Sequence, residues 1–162
     1  MMWIFLALAA VLLLLPFLVG FMLSPRQQVT RVELVKAATQ EVWEALSNLQ
    51  VQVQWRTGIN SVQMLDDDEG LRWVEKPEHG RPVTIRKLKE NPPQELLLEM
   101  RQGSTNGTRQ IRLNAVPGGT RVTFTEMQET RNPLARLACR RQGGLDHKLD
   151  RFIHELKNHF AV

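Results

Sequence analysis

Four charged residues, Glu75, Lys87, Arg109 and Glu126, alternate in phase with apolar residues along predicted strands. Side chains in one phase point to the same side of a sheet, so these four are candidate polar groups in an apolar pocket. A buried carboxylate within reach of a carbonyl could act as a general acid or base, and an arginine could orient a polar group. Each also lies near a strand end, where an inward-phase side chain can reach solvent, and that alternative stays open.

In the segments that would position these residues, apolar side chains recur at every second position. Turns rich in Gly, Pro, Asn and Asp separate these segments. In one of them Leu96, Leu98 and Met100 alternate with charged residues. The pattern predicts an antiparallel sheet with one apolar and one solvated face. The predicted strands are 29–36, 59–65, 71–76, 82–90, 94–102, 108–116 and 120–128, with a turn at 66–70.

The predicted helices supply a cover for the apolar face. Thr39 is a plausible N-cap for a helix over 40–47, and 49–55 fits a short helical turn. From Leu134 to Phe160 apolar residues form a helical stripe, interrupted at Gly143 and Gly144, where we expect a kink. The order predicts an α+β fold with one long C-terminal helix across the sheet.

If a pocket lies between sheet and helix, residues of the inward phase would line it, although for any single residue packing in a filled core is the simpler role. Trp43 is expected to pack in the core. The candidate ligand-contacting residues are Trp55, Trp73, Glu75, Ile85, Leu98, Met100, Arg109, Ile111, Leu113, Phe124, Glu126, Leu145 and Leu149.

The first 23 residues contain no charged side chain, and only Pro16 and Gly20 interrupt the apolar run. A helix of this length would span roughly 34 Å, enough to cross a bilayer. A cleaved signal peptide should show a basic start and small residues at its end, and neither is present. We therefore predict a single-pass transmembrane anchor over 1–23, a linker over 24–28 and one domain over 29–162.

Basic residues dominate the charge of this chain, with 21 Lys and Arg against 17 Asp and Glu. Those that follow the anchor favour a domain on the cytoplasmic side, with the opposite side left open. Arg136, Arg140, Arg141 and Lys148 could contact anionic headgroups of the bilayer, or simply form a solvated face. Basic residues interleaved with aromatics are absent, so nucleic acid is not an expected partner.

Several strings in this order resemble the START-like superfamily, also called polyketide cyclase-like or SRPBCC, which includes coenzyme Q-binding proteins and the major birch pollen allergen. One departure is Ala38-Thr39, where the superfamily commonly has a small residue and proline. The resemblance spans nearly all of 30–160 and implies a helix-grip fold, a sheet of about seven strands around a long C-terminal helix with a cavity between them. The matching strings are 37–48, Trp55, 91–93, 118–126 and 132–134.

The resemblance implies a hydrophobic ligand, because superfamily members commonly bind lipids or apolar small molecules. It also implies that Trp55 lies near the cavity mouth, where an amphipathic indole suits transfer of an apolar ligand. We expect a membrane-anchored domain that binds or shuttles such a ligand and is not an enzyme. A cyclase-like or hydratase-like enzyme using the same cavity, and a membrane assembly protein, are the alternatives. No P-loop, nucleophile elbow, dinucleotide fingerprint or HExxH string appears, no metal or cofactor is expected, and a protein partner is not identified.

Overall fold

The structure, a computed structural model, describes residues 1–65 and 70–161. The chain order is helix, strand, two helices, six strands and two helices. The elements are α1 Met2–Met22, β1 Arg26–Val35, α2 Thr39–Ser47, α3 Leu49–Trp55, β2 Ile59–Leu65, β3 Arg72–Pro77, β4 Val83–Asn91, β5 Glu95–Gln102, β6 Thr105–Val116, β7 Gly119–Thr130, α4 Pro133–Arg141 and α5 Gly144–His159.

The seven strands form one antiparallel sheet in the order β1-β7-β6-β5-β4-β3-β2. The predicted seven strands are confirmed, with shifts at their ends. The linker predicted over 24–28 is shorter, because β7 extends to Thr130 and its backbone pairs with β1 from Arg26 onward. Similarly β6 begins at Thr105, three residues early, because β7 pairs with it there. Most of the predicted turn at 66–70 lies outside the described residues.

One face of the sheet packs against α5, which confirms the predicted helix-grip arrangement. The period-two alternation explains this face, since Leu96, Leu98, Ile111 and Phe124 are all buried while their strand neighbours are not. The buried residues of α5 recur at helical spacing and meet this face. They are Leu145, Leu149, Phe152, Ile153 and Leu156.

Ion pairs hold the edge strand β1 to α5. Arg31 Nε lies 2.8 Å from Asp150 Oδ1 and its Nη2 lies 3.0 Å from Asp146 Oδ1. The hydrogen bond from Arg31 to Asp150 helps to raise the pKa of the arginine. Further along, Lys157 Nζ lies 2.8 Å from Glu33 Oε2. These contacts fasten both halves of β1 to the covering helix.

Local capping sets the helix boundaries. Ala38, not the predicted Thr39, precedes α2, and its N–H donates to Glu41 Oε2 at 2.9 Å while Thr39 is already helical. Asn48 caps α3 by accepting from the Gln50 backbone N–H at 3.0 Å. The predicted interruption of the last helix is confirmed, because Gly143 adopts φ +89° between α4 and α5.

The N-terminal helix α1 is apolar and long enough to cross a membrane by length and composition, with 21 residues and a mean hydropathy of 2.8 over an 18-residue window. Its length is about 31 Å at 1.5 Å per residue. Almost all its side chains are exposed, and Gly20 is its buried residue. At that point α4 packs on the last turns of α1, since a Cβ on Gly20 would lie 2.3 Å from the Pro133 carbonyl oxygen.

The carboxylate of Glu95 on the outer face of the sheet should titrate below a free glutamate. A hydrogen bond from Lys89 (2.6 Å), then one from Gln110 (2.7 Å), lowers the pKa of Glu95. The contribution to stability is therefore complete above the unfolded-state pKa and is lost as pH falls through the folded-state value. NMR titration should show an acid-shifted midpoint that rises in Lys89→Met. It should not move in Arg101→Met, whose guanidinium pairs with Glu99 instead.

Candidate functional site

A narrow cleft lies between the sheet and α5, and it is lined by apolar side chains with a cluster of polar groups. The free space within it is about 10 Å³, room for about one water molecule. The elongated cavity that the resemblance implied is therefore largely filled here by the side chains themselves. The lining residues are Leu46, Gln52, Arg56, Trp73, Glu75, Ile85, Leu98, Met100, Arg109, Ile111 and Phe152.

Arg56 and Glu75 form the first of two largely buried ion pairs in this cleft. Arg56 Nη1 lies 2.8 Å from Glu75 Oε1, and the same nitrogen donates to Gln52 Oε1 at 3.1 Å. The indole Nε1 of Trp73 also donates to Glu75 Oε1, at 3.3 Å. Glu75 is 6% exposed. One oxygen of this carboxylate thus receives both bonds, and within the described chain Oε2 has no hydrogen-bond partner.

Arg109 and Glu126 form the second pair, on directly opposed positions of β6 and β7. Arg109 Nε donates to Glu126 Oε2 at 3.1 Å, and Nη2 donates to Oε2 at 3.0 Å and to Oε1 at 3.3 Å. The side chains are 12% and 5% exposed. This two-nitrogen contact is the strong geometry for a guanidinium and a carboxylate.

The ring of Phe152 lies beneath both guanidinium groups. The Cζ atoms of Arg109 and Arg56 are 4.3 and 5.2 Å from the ring centroid, within the range of cation–π contacts. Trp55 and Phe124 meet the same ring edge-on, with centroids at 5.4 and 6.0 Å. One aromatic side chain of α5 therefore supports the two ion pairs and fills the space below them.

Each arginine keeps N–H groups that no described protein atom accepts. These are Nη1 of Arg109, and Nε and Nη2 of Arg56. Together with Glu75 Oε2 they provide donors and an acceptor in an apolar surrounding. Such an arrangement can bind a carbonyl or hydroxyl group of an amphipathic molecule.

Seven of the predicted ligand-contacting residues line this cleft: Trp73, Glu75, Ile85, Leu98, Met100, Arg109 and Ile111. Glu126 does not line the cleft, but its carboxylate pairs with Arg109, which does. The alternative that these charged side chains reach solvent at a strand end is wrong for Glu75 and Glu126, which are buried. Lys87 is not among the lining residues; its side chain is 18% exposed, and its ammonium lies 2.7 Å from Glu90 Oε2.

Other predicted residues are part of the core rather than the lining. Leu113, Phe124, Leu145 and Leu149 are at most 2% exposed and do not line the cleft. Trp55 is also buried rather than at an entrance, since its indole Nε1 donates to the Ala45 carbonyl at 3.2 Å. As predicted, Trp43 is a core residue.

Sequence reasoning missed Gln52 and Arg56, which come from α3 and the residue after it. Their spacing of four is the signal that could have found them, because it aligns the two side chains if the predicted helical turn over 49–55 is extended by one residue. The partner of Arg56 lies on β3, 19 positions away, and the strand pattern does not report that contact.

The four basic residues proposed for a membrane surface fall into two groups. Arg136 donates hydrogen bonds to main-chain carbonyls of the chain itself. Its Nε donates to Thr130 at 2.8 Å and its Nη2 to Arg131 at 3.0 Å. Its Nη1 donates to the carbonyls of Gly20 and Leu23, at 3.5 and 3.4 Å. It is therefore a link between α4 and the end of α1. Arg140, Arg141 and Lys148 are exposed.

Comparison with known proteins places this architecture in a family. The model of the polyketide cyclase / dehydrase and lipid transport family matches residues 26–160. The chain belongs to that family, and its helix-grip fold is that of the SRPBCC superfamily. No curated protein matches it in sequence.

Solved structures share the fold at low identity. A conserved protein from Geobacillus kaustophilus is 19% identical with a TM-score of 0.67, covering 83% of this chain and 95% of its own. The Zhui aromatase/cyclase from Streptomyces sp. R1128 is 12% identical with a TM-score of 0.67, covering 83% and 93%. The CV1439 protein from Chromobacterium violaceum is 12% identical with a TM-score of 0.60, covering 83% and 98%. At these identities the likeness establishes the fold alone.

Proposed function

We propose that the protein binds a hydrophobic small molecule or lipid between its sheet and α5, held beside a bilayer by α1, and that it carries this ligand without changing it. The observation that supports this most is the polar cluster of Arg56, Glu75, Arg109 and Glu126 inside an otherwise apolar interior. Membership of a family described by polyketide cyclase, dehydrase and lipid transport supports an apolar ligand.

The energetics of the cluster favour a role in binding. Removing two charges from water costs several kcal/mol per ion. A protein in which apolar residues of similar shape replace such a pair is often as stable or more stable. Two such pairs are therefore a weak device for stability. They are, however, what a ligand site needs, because a few polar groups in an apolar wall fix the orientation of an amphipathic molecule.

Ligand entry requires the cleft to widen, since its present free space is about 10 Å³. The driving force is apolar burial at roughly 25 cal/mol per Å², so covering about 300 Å² of ligand would contribute about 7 kcal/mol. That amount can offset displacement of a side chain such as Phe152. The Arg56–Glu75 pair joins the end of α3 to β3 across this cleft.

The tether places the cleft near lipid. Strand register puts Glu126 opposite Val29, three residues after β1 starts at Arg26 and close to the end of α1. The polar cluster thus lies toward the α1 end of the sheet, which suits exchange with a bilayer. Arg26, Arg31 and Lys36 follow α1, and the positive-inside rule then favours the cytoplasmic side for the domain.

A second candidate function is acid–base catalysis in the same cleft. The observation that favours it is the free Oε2 of Glu75 beside the N–H groups of Arg56. A carboxylate and a guanidinium so placed could move a proton at a ligand carbonyl and stabilise the developing oxyanion. Conversion of the bound molecule, rather than its intact recovery, would identify this function.

Native mass spectrometry of the full-length protein, released from detergent micelles, tests ligand binding. We expect a bound apolar molecule, recovered unchanged by solvent extraction. Met100→Phe narrows the cleft and should reduce occupancy, whereas Met127→Phe on the exposed outer face should not. A protein that never retains an apolar molecule, or one equally affected by both substitutions, contradicts the proposal. A single stoichiometric membrane protein in its place would indicate an assembly role.

Alkaline carbonate extraction of membranes tests the tether separately. The protein should stay with the lipid fraction. Release into the supernatant would contradict anchoring by α1 while leaving ligand binding in the cleft intact.

A further inference from the structure

We infer that α4 lies on the bilayer surface and binds anionic phospholipid headgroups through a basic surface made of Arg131, Leu134, Arg140 and Arg141. This inference rests on the proposed function in one respect, that α1 spans the membrane. It goes further by assigning a role to a helix that lies outside the cleft and contributes no residue to the core.

The position of α4 follows from its contacts with α1. Arg136 donates to the carbonyls of Gly20 and Leu23, at the last turn and end of α1, where main-chain acceptors lack helical partners. A cation there also complements the helix dipole. Gly20 lies so close to Pro133 that a side chain would collide with its carbonyl. The start of α4 is thus held within hydrogen-bonding distance of the chain where it leaves α1.

The depth of the end of α1 in the bilayer follows from the length of this helix. A span of 21 residues covers about 31 Å, close to the thickness of the hydrocarbon core. Gly20 and Leu23 then lie at the boundary between hydrocarbon and headgroups. A helix attached there lies at the level of the phosphates. Leu134, which is 39% exposed, suits this boundary because its side chain can enter the apolar edge.

The charges of the surface are not neutralised within the protein. Arg131, Arg140 and Arg141 are exposed and form no ion pair in the described chain. Nearby acidic groups are already engaged, since Asp146 pairs with Arg31 and Glu129 with Arg26. The first turn of α4 contains no acidic residue. Three free guanidinium groups beside a membrane helix are complementary to lipid phosphates.

The test compares two phospholipids with matched acyl chains, phosphatidylglycerol and phosphatidylcholine, added to the full-length protein in detergent micelles. Native mass spectrometry measures the ratio in which they are retained. Each well-placed arginine contributes about 1 kcal/mol of attraction to anionic headgroups. Arg140→Gln with Arg141→Gln should therefore lower the preference for phosphatidylglycerol by about thirtyfold, about fivefold for each arginine.

The matched control removes the same two charges at the opposite end of the sheet, as Lys36→Gln with Arg121→Gln. Both residues are exposed and Val35, beside Lys36, pairs with Thr120, beside Arg121. The control should keep the preference of the wild type. Equal loss in both double variants would show a net-charge effect and overturn the inference, as would a wild type with no preference.

Salt dependence in the wild type provides a measurement that needs no variant. Raising ammonium acetate from about 0.1 M to about 1 M shortens the Debye length from about 10 to about 3 Å. The preference for phosphatidylglycerol should fall steeply over this range, and a preference that persists would contradict an electrostatic surface. A protein that resists carbonate extraction yet shows no preference refutes the α4 surface alone, and release by carbonate refutes the anchor.

Discussion

Arg109→Met and Glu126→Leu, made singly, should each lower the free energy of unfolding by about 3 to 5 kcal/mol. Either change leaves one buried charge without its partner, on side chains that are 12% and 5% exposed. The double variant should recover most of this loss, because two apolar side chains of similar size replace the pair and no lone charge remains. Urea unfolding of the full-length protein in mild detergent, followed by tryptophan fluorescence, measures all three.

Arg112→Met is the control for this cycle. Arg112 is also on β6 and also contacts a carboxylate, Glu95, but its side chain is 61% exposed. Its substitution should change the free energy of unfolding by about 1 kcal/mol or less. Additive losses in the Arg109 and Glu126 cycle would contradict coupling between them. A stable double variant that still retains its ligand would show that this pair does not orient it.

Much of the fold was predictable because a sheet with one buried face requires apolar residues at every second position of its strands. Leu96, Leu98 and Met100 identify the inward face of β5, and the same phase correctly includes Glu75, Arg109 and Glu126. The strand ends were harder. Polar residues such as Arg26 carry no apolar signal, and they are in β1 only because β7 supplies backbone partners there.

The short helix α3 confirms the helical turn predicted over 49–55. Its sequence LQVQVQW alternates as a strand would, yet Asn48 caps it and Trp55 fastens its end to the Ala45 carbonyl. Local capping and packing therefore override alternation. Because its helical geometry sets the face of Gln52 and Arg56, the contribution of α3 to the cleft could not be derived from the strands alone.

Two features, the filling of the cleft by side chains and the contacts of Arg136, depend on tertiary packing that sequence patterns do not report. Alternation shows which side chains point inward, but it does not show whether Phe152 and its neighbours fill the space between sheet and helix. The role of Arg136 is similar. It lies in one basic run with Arg140 and Arg141, but its partners include the carbonyl of Gly20, 116 positions away.

Phe152→Ala should lower the free energy of unfolding by about 3 to 5 kcal/mol, because a buried aromatic ring is lost and a cavity replaces it. The ring is 7% exposed and contacts Trp55, Phe124 and both guanidinium groups. Ile153→Ala is the matched control. Ile153 is the next residue of α5, it is 5% exposed, and it does not line the cleft. Its loss should be about 2 to 5 kcal/mol.

The two variants should differ in ligand occupancy, although both destabilise the fold. In the proposed binding mode the ligand displaces the Phe152 ring, so its apparent affinity for the wild type is reduced by the small population of the open state. Phe152→Ala removes that cost, and it should retain more apolar ligand than the wild type and regain stability on ligand addition. Ile153→Ala should do neither. If both variants lose ligand equally, the ring is not what a bound molecule displaces, and entry must occur elsewhere between the sheet and α5.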